Sequence, residues 1–282
     1  MDWTKRIELF QNQVPFLLNI LDKETFSFPS SLQTEVFGKY YQPQLPIEAI
    51  RGVILLYHGL GAVIQTPGYQ ELKDEWISNG FAVVGFDVRN QGGMTSGNPS
   101  RHPGGLYLSG IESIEDSYFV QMYLDSIRLV DVAKQLFPNK KIYATGGSQG
   151  GTLAIIAGMF HPDVKLVMAD MPNCIDIPYL VHHANSGFQA FQTFQNGLYL
   201  QDQSFYPLLE TIDLLSLAKY LTKPILLSVG SVDDVTPMVT TTKFYDLLSC
   251  EKKLIVYPGY GHGGFDSLHG TKKRQWISLH SQ

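Results

Sequence analysis

Ser148 stands in Gly146-Gly147-Ser148-Gln149-Gly150-Gly151, with one glycine two residues before it and another two residues after. A serine hydroxyl is a weak nucleophile at neutral pH. It becomes an effective one when a turn exposes its Oγ, a histidine takes its proton and an acid fixes that histidine's tautomer. The G-x-S-x-G spacing meets the first condition, because a Cβ at 146 or 150 would collide as the chain doubles back. Lys141-Ile142-Tyr143-Ala144 is a short β-rich run ahead of the turn. Gln149 to His161, closed by Pro162, is apolar enough for a buried helix. Strand, sharp turn and helix with serine at the apex form a nucleophile elbow, which serves acyl transfer.

The other two conditions direct attention downstream. Two acids lie directly past a strand end, Asp233 and Asp234 in Gly230-Ser231-Val232-Asp233-Asp234-Val235-Thr236-Pro237. One histidine directly follows the last strand, His262 in Pro258-Gly259-Tyr260-Gly261-His262-Gly263-Gly264. Both loops fall at carboxyl ends of predicted strands, where open α/β sheets place their sites. The residues alone leave the acid open, and Asp234 reads first as an N-cap or turn residue before the helix that Pro237 helps to start. Acyl transfer also needs two backbone N–H donors for its oxyanion, from the residue after the nucleophile and from the loop after the third strand. That assigns Gln149 and Leu60, the latter between Gly59 and Gly61. His58 is expected to support this loop without acting as a base. Arg89, whose planar fork suits several acceptors at once, is expected to anchor the loops around the site. His161 sits at a helix end. His182-His183 reads as a surface or lid pair, since adjacent histidines without carboxylates do not make a metal site. Cys174 reads as a small buried residue.

These residues need elements to hold them. Residues 1 to about 22 read as an amphipathic helix broken or kinked at Pro15, and 32–41 alternate weakly, as an edge hairpin does. Strands are expected at 53–57, 81–86, 141–144, 164–170, 224–230 and 253–257, with helices at about 69–79, 113–136, 149–161, 237–249 and 265–280. Strands that are apolar throughout and alternate with helices predict an α/β fold, a mostly parallel sheet covered on both faces. We expect one domain over 1–282, with a lid-like insertion at about 172–222.

The chain has 282 residues, is 44% hydrophobic and carries a net charge of −5. This composition offers no basic footprint for nucleic acid and no polybasic helix for a membrane surface. The N-terminal segment mixes Glu8 and Gln11 into its apolar residues, unlike a secretory leader. Cys174 and Cys250 have no CxxC or metal-type spacing and read as free thiols in a cytoplasmic protein.

Taken together these segments resemble carbohydrate esterase family 7, the acetyl xylan esterases and cephalosporin C deacetylases of the α/β-hydrolase superfamily. The resemblance rests on Gly147-Ser148-Gln149-Gly150-Gly151 and on Asp87-Val88-Arg89-Asn90-Gln91-Gly92-Gly93, which is similar to the family's Arg-Gly-Gln segment. It also rests on Tyr123-Leu124-Asp125 with Arg128, and on the segments 224–237 and 257–264. It spans roughly residues 50–280. It implies an α/β-hydrolase fold, places Asp233 rather than Asp234 at the triad acid and His262 at the base, and makes Arg89 and Gln91 part of a supporting loop. The implied activity is a serine carboxylesterase removing acetyl groups from small acetylated carbohydrates through an acyl-enzyme, with no cofactor and no metal. Three positions depart from the family: Asn90 replaces its usual Gly, Leu60 its Tyr, and Gly263 its Glu. The segment before residue 50 is shorter than in typical members, which are usually hexameric, so homo-oligomer assembly is left open. A peptidase or acyl-aminoacyl hydrolase of the same fold would need a free-amine site or a side domain, and neither is visible. A non-catalytic binding protein of this fold is opposed by intact Ser148, Asp233 and His262.

Overall fold

The apolar runs become nine strands: β1 (Asn19–Ile20), β2 (Thr25–Pro29), β3 (Glu35–Tyr41), β4 (Val53–Tyr57), β5 (Ala82–Phe86), β6 (Ile142–Gly147), β7 (Val164–Asp170), β8 (Ile225–Gly230) and β9 (Lys252–Tyr257). The structure is a computed structural model that describes residues 1–97, 105–111, 113–194 and 206–280. The strands form one sheet in the order β1-β2-β3-β5-β4-β6-β7-β8-β9. β5 to β9 run parallel in that sheet, and β1, β2 and β3 extend it antiparallel beside β5.

Every residue of β4, β5 and β8 is buried, which is the burial that helices on both faces of a parallel sheet impose. α2 (Pro67–Ser78) and α10 (His269–His280) close one face, where Tyr69, Trp76, Trp276 and Ile277 pack on Ile54, Leu56 and Met168. α1 (Trp3–Gln13), α3 (Tyr118–Leu136), α4 (Gln149–Phe160) and α9 (Met238–Leu247) contribute to the larger core on the other face. All residues of α4 from Gln149 to Gly158 are buried, so its lack of a polar stripe suits a helix wrapped by protein. The segment after β7 forms α5 (Ile177–His183), α6 (Gln189–Phe194), α7 (Tyr206–Ile212) and α8 (Leu214–Leu217).

Some boundaries differ from the pattern reading. α1 ends at Gln13, ahead of Pro15, and residues 19–20 are strand rather than helix. Residues 32–41, expected as an edge hairpin, hold one strand, β3, which pairs with β2 on one side and β5 on the other, leaving β1 at that edge of the sheet. α3 starts at Tyr118, where Ser117 caps it by accepting from Val120 N–H, and α10 starts at His269. Of the insertion's aromatics, Phe188 and Phe191 are buried beside Phe119, while Tyr199 and Phe205 lie outside the described residues.

The order of connections creates the crevice. From β4 the chain moves outward to β5, then returns across β4 to β6 and proceeds the other way through β7, β8 and β9. The loops leaving β4 and β6 therefore diverge at the carboxyl ends of adjacent strands, at a topological switch point. His58 to Gly61 follow β4, and Ser148 follows β6.

Candidate active site

The turn after β6 is as tight as its glycines suggest. A Cβ at Gly146 would lie 2.5 Å from the Gly150 carbonyl, and one at Gly150 would lie 2.1 Å from Tyr57 O. Both contacts are closer than any side chain tolerates. Ser148 itself is held at φ 55° and ψ −122°, a region that costs a non-glycine residue about 1–3 kcal/mol and persists only when the surroundings over-determine it. Its N–H donates to Asp170 O at 2.9 Å, tying the strained turn to the end of β7.

His262 and Asp233 meet although 29 residues separate them. His262 Nδ1 lies 2.9 Å from Asp233 Oδ2, and the Asp233 side chain is buried. Three further donors reach the same carboxylate: Val235 N–H at 2.9 Å and Thr236 N–H at 2.8 Å on Oδ1, and Thr236 Oγ1 at 3.0 Å on Oδ2. Burial pushes the Asp233 pKa up, but His262 and the Thr236 N–H outweigh it and hold the carboxyl below its ordinary range. An ionised carboxylate only accepts, so the imidazole carries its proton on Nδ1 and leaves Nε2 to accept. Asp234 is exposed, and among the described residues its side chain caps no helix. The helix it was expected to cap, α9, has Pro237 at its N-cap, and the turn-forming side chain is Asp233. Thr236 was not singled out from sequence, although an Asp followed three residues later by Thr is a recognisable local hydrogen-bonding pattern.

Ser148 and His262 line one cavity of about 510 Å³, together with Leu60, Tyr69, Tyr107, Asn173 and Phe188. Among the described residues no hydrogen bond joins Ser148 Oγ to the His262 ring. Such bonds often tighten only when substrate is bound. The loop after β4 passes beside the serine: a Cβ on Gly59 would lie 3.8 Å from Ser148 Cβ. Among the described residues, neither Leu60 N–H nor Gln149 N–H donates to a backbone acceptor. For Gln149 this is expected of the first residue of a helix. Gln91 bridges the two segments, its Oε1 accepting from Gly61 N–H at 2.7 Å and its Nε2 lying 3.0 Å from Gln149 Oε1. This arrangement can hold an acyl carbonyl beside a nucleophile with two N–H donors nearby.

Arg89 is buried and points away from the cavity. Its Nε and one terminal nitrogen grip Asp125 at 2.5 and 2.8 Å, and the same guanidinium reaches Ser30 Oγ, Thr34 Oγ1 and Ser31 O at 2.9, 3.1 and 3.3 Å. It thus ties the loop after β5 to α3 and to the β2–β3 turn. Lysine offers a point charge in place of the fork. Arg89→Lys is expected to cost about 3 kcal/mol by stranding buried acceptors, and to lower activity with it. Thermal melts and ester turnover on the same preparation check this. An unchanged melting temperature with abolished substrate binding would instead put Arg89 in contact with substrate.

A second charged group beneath the elbow escaped the sequence reading. Asp170, at the end of β7, takes Lys273 Nζ, Ser228 Oγ and, at 3.0 Å, His269 Nε2. Burial raises its pKa, but Lys273 and His269 more than offset this and hold it well below the carboxylate range. The lysine arrives from α10, some hundred positions away, so no local pattern could announce the pairing. Cys174 is fully buried with its thiol pushed up to about 12 by burial. His182 and His183 are exposed at the end of α5, and among the described residues no cluster of His, Cys, Asp or Glu could hold a metal ion. His161 caps α4 with Nε2 at 3.2 Å from Asp131. Two departures from the family pattern follow backbone geometry: Asn90 sits at φ 57°, which asparagine tolerates, and Gly263 at φ 98°, which disfavours a side chain such as Glu.

The sequence matches the family model described as acetyl xylan esterase (AXE1) over residues 11–280. The chain belongs to the acetyl xylan esterase family. A curated relative, acetyl esterase Axe7A of Xylanibacter ruminicola, is 23% identical over 159 residues, taking in 55% of this chain and 35% of that protein. Among solved structures, an acetyl xylan esterase from Paenibacillus sp. R4 superposes with a TM-score of 0.84 at 24% identity, covering 99% of this chain and 93% of that one. Acetyl xylan esterase 1 from Thermoanaerobacterium sp. gives a TM-score of 0.84 at 20% identity, covering 98% and 92%. With the sheet order above, these likenesses identify the α/β-hydrolase fold. Among the described residues of this family member no helix is long and apolar enough to cross a membrane.

Proposed function

We propose that this protein is a serine carboxylesterase that removes acetyl groups from small acetylated carbohydrates. Ser148 Oγ attacks the ester carbonyl while His262 Nε2 takes its proton, Leu60 N–H and Gln149 N–H hold the oxyanion, and Asp233 keeps the imidazole oriented. His262 then protonates the departing sugar oxygen, and a water deprotonated by the same ring releases acetate from the acyl-enzyme. No cofactor enters. The observation that carries this reading is the His262–Asp233 pair at 2.9 Å, opening on the cavity that holds the strained Ser148. The site belongs to one domain, with α5 to α8 of the insertion as its lid. The cytoplasm suits it, since Cys174 and Cys250 are both free there.

A cavity of about 510 Å³ holds more than an acetyl group, leaving its remainder for the alcohol part of the ester. Acyl-chain length is the deciding measurement. A pocket that excludes added methylenes discriminates by about 1–3 kcal/mol per group, so kcat/KM for acetyl esters is expected to exceed that for butyryl esters by about tenfold or more. A maximum at hexanoyl would remove the deacetylase reading and leave a general carboxylesterase. Failure of a fluorophosphonate to label Ser148 would remove the enzyme reading altogether.

A further inference from the structure

The Gly59–Leu60 peptide supplies one of the two oxyanion donors, so whatever fixes that peptide plane fixes the hole. Gly59 has no side chain to brace it, and its backbone rotates more freely than any other residue's. The bracing comes from outside. His58 Nδ1 lies 2.9 Å from Gly59 O, and Ala62 N–H donates to the same oxygen at 3.2 Å. In a trans peptide the carbonyl and the following N–H point in opposite directions. Gly59 O turned toward the His58 ring therefore turns Leu60 N–H away from it.

The ring's other nitrogen is committed too. Val88 N–H donates to His58 Nε2 at 2.9 Å. A backbone N–H only donates and a carbonyl only accepts, so the imidazole carries one proton, on Nδ1, and is neutral. The environment agrees: burial depresses its pKa, outweighing the Gly59 carbonyl and the charge of Asp87. Asp87 is occupied elsewhere, accepting at 2.9 Å each from Ile64 N–H, at the far end of the same loop, and from Met94 N–H in the loop after β5.

We propose that His58 is the positioning residue of the oxyanion hole: Nδ1–H holds the Gly59–Leu60 peptide with Leu60 N–H toward Ser148, and Val88 N–H locks the ring in that tautomer. Both ring nitrogens are committed to backbone partners, so it acts through Leu60. The inference rests on the esterase reading above.

Two substitutions separate the two bonds. His58→Asn places an amide N–H near the Nδ1 position and keeps the bond to Gly59 O. His58→Gln places a carbonyl oxygen near the Nε2 position, keeping the bond from Val88 and losing the one to Gly59. H58Q is expected to lose about a hundredfold or more in kcat on p-nitrophenyl acetate with KM within a few-fold, the signature of a lost oxyanion donor. H58N is expected to stay within about tenfold of wild type. A crystal structure of H58Q should show the Gly59–Leu60 peptide rotated or divided between two orientations. Equal kcat in the two variants, or an unmoved peptide in H58Q, would overturn the proposal. If H58Q does not fold, H58N decides: a peptide still in place together with a kcat loss as large as that of Ser148→Ala overturns it, and retained turnover supports it. Wild-type protein inactive on every acyl ester would count against the esterase reading, while the peptide orientation in the variant crystals still decides the role of His58.

Discussion

Ser148→Ala is expected to lower kcat on acetyl esters by five to six orders of magnitude, about the loss seen when a serine nucleophile is removed from a complete triad. The fold should be untouched. Among the described residues Ser148 Oγ makes no hydrogen bond, so its removal strands no partner, and alanine bears the φ of 55° as serine does. Steady-state kinetics and a thermal melt on one preparation give both numbers. Near-wild-type turnover in the variant would place the chemistry elsewhere.

The second large effect is at the acid. Asp233→Asn is expected to cost about 10⁴ in kcat, and Asp234→Asn no more than about twofold. The asparagine keeps an oxygen for Val235 N–H and Thr236 N–H, so the loop holds its shape. Its NH₂ group then faces His262 Nδ1, which must accept, and the ring's proton moves to Nε2, where it can no longer receive the serine proton. Stability should change in a pH-dependent way. The folded-state pKa of Asp233 lies below its ordinary value, so its contribution is present above the unfolded value of about 3.9 and fades as pH falls through the folded one. The wild-type advantage over D233N in chemical denaturation should therefore shrink on acidification. Equal kcat losses at 233 and 234, or a greater one at 234, would reverse the assignment.

What could be read in the chain was whatever short-range rules control. Runs such as Val53-Ile54-Leu55-Leu56-Tyr57, short and partly β-branched, read as buried strand, and the glycines around Ser148 state where backbone must approach backbone. The contacts of 2.1–2.9 Å that a Cβ would make at Gly146 and Gly150 are the physical content of that pattern. Pro15 and Ser117 set helix ends that the apolar period alone overran, because periodicity reports which face is buried and says little about where hydrogen bonding stops.

Contacts between distant segments were decided by the folded chain. Asp233 and Asp234 are the same residue type one position apart. Sequence pattern alone cannot say which faces His262, since a one-residue step reverses direction and only the loop's closure on Thr236 turns Asp233 inward. Asp170 with Lys273, and Arg89 with Asp125 and the Ser30–Thr34 turn, were illegible for the same reason: their partners come from elements that become neighbours only after the sheet has formed. The sequence by itself determined the elements, the elbow and the carboxyl-end loops, because propensity, turn chemistry and burial act within a dozen residues. Tertiary structure decided what the residue pattern by itself left open, which acid meets the histidine and which way the Gly59–Leu60 peptide faces, because side-chain direction and peptide orientation are set by packing across the crevice between β4 and β6.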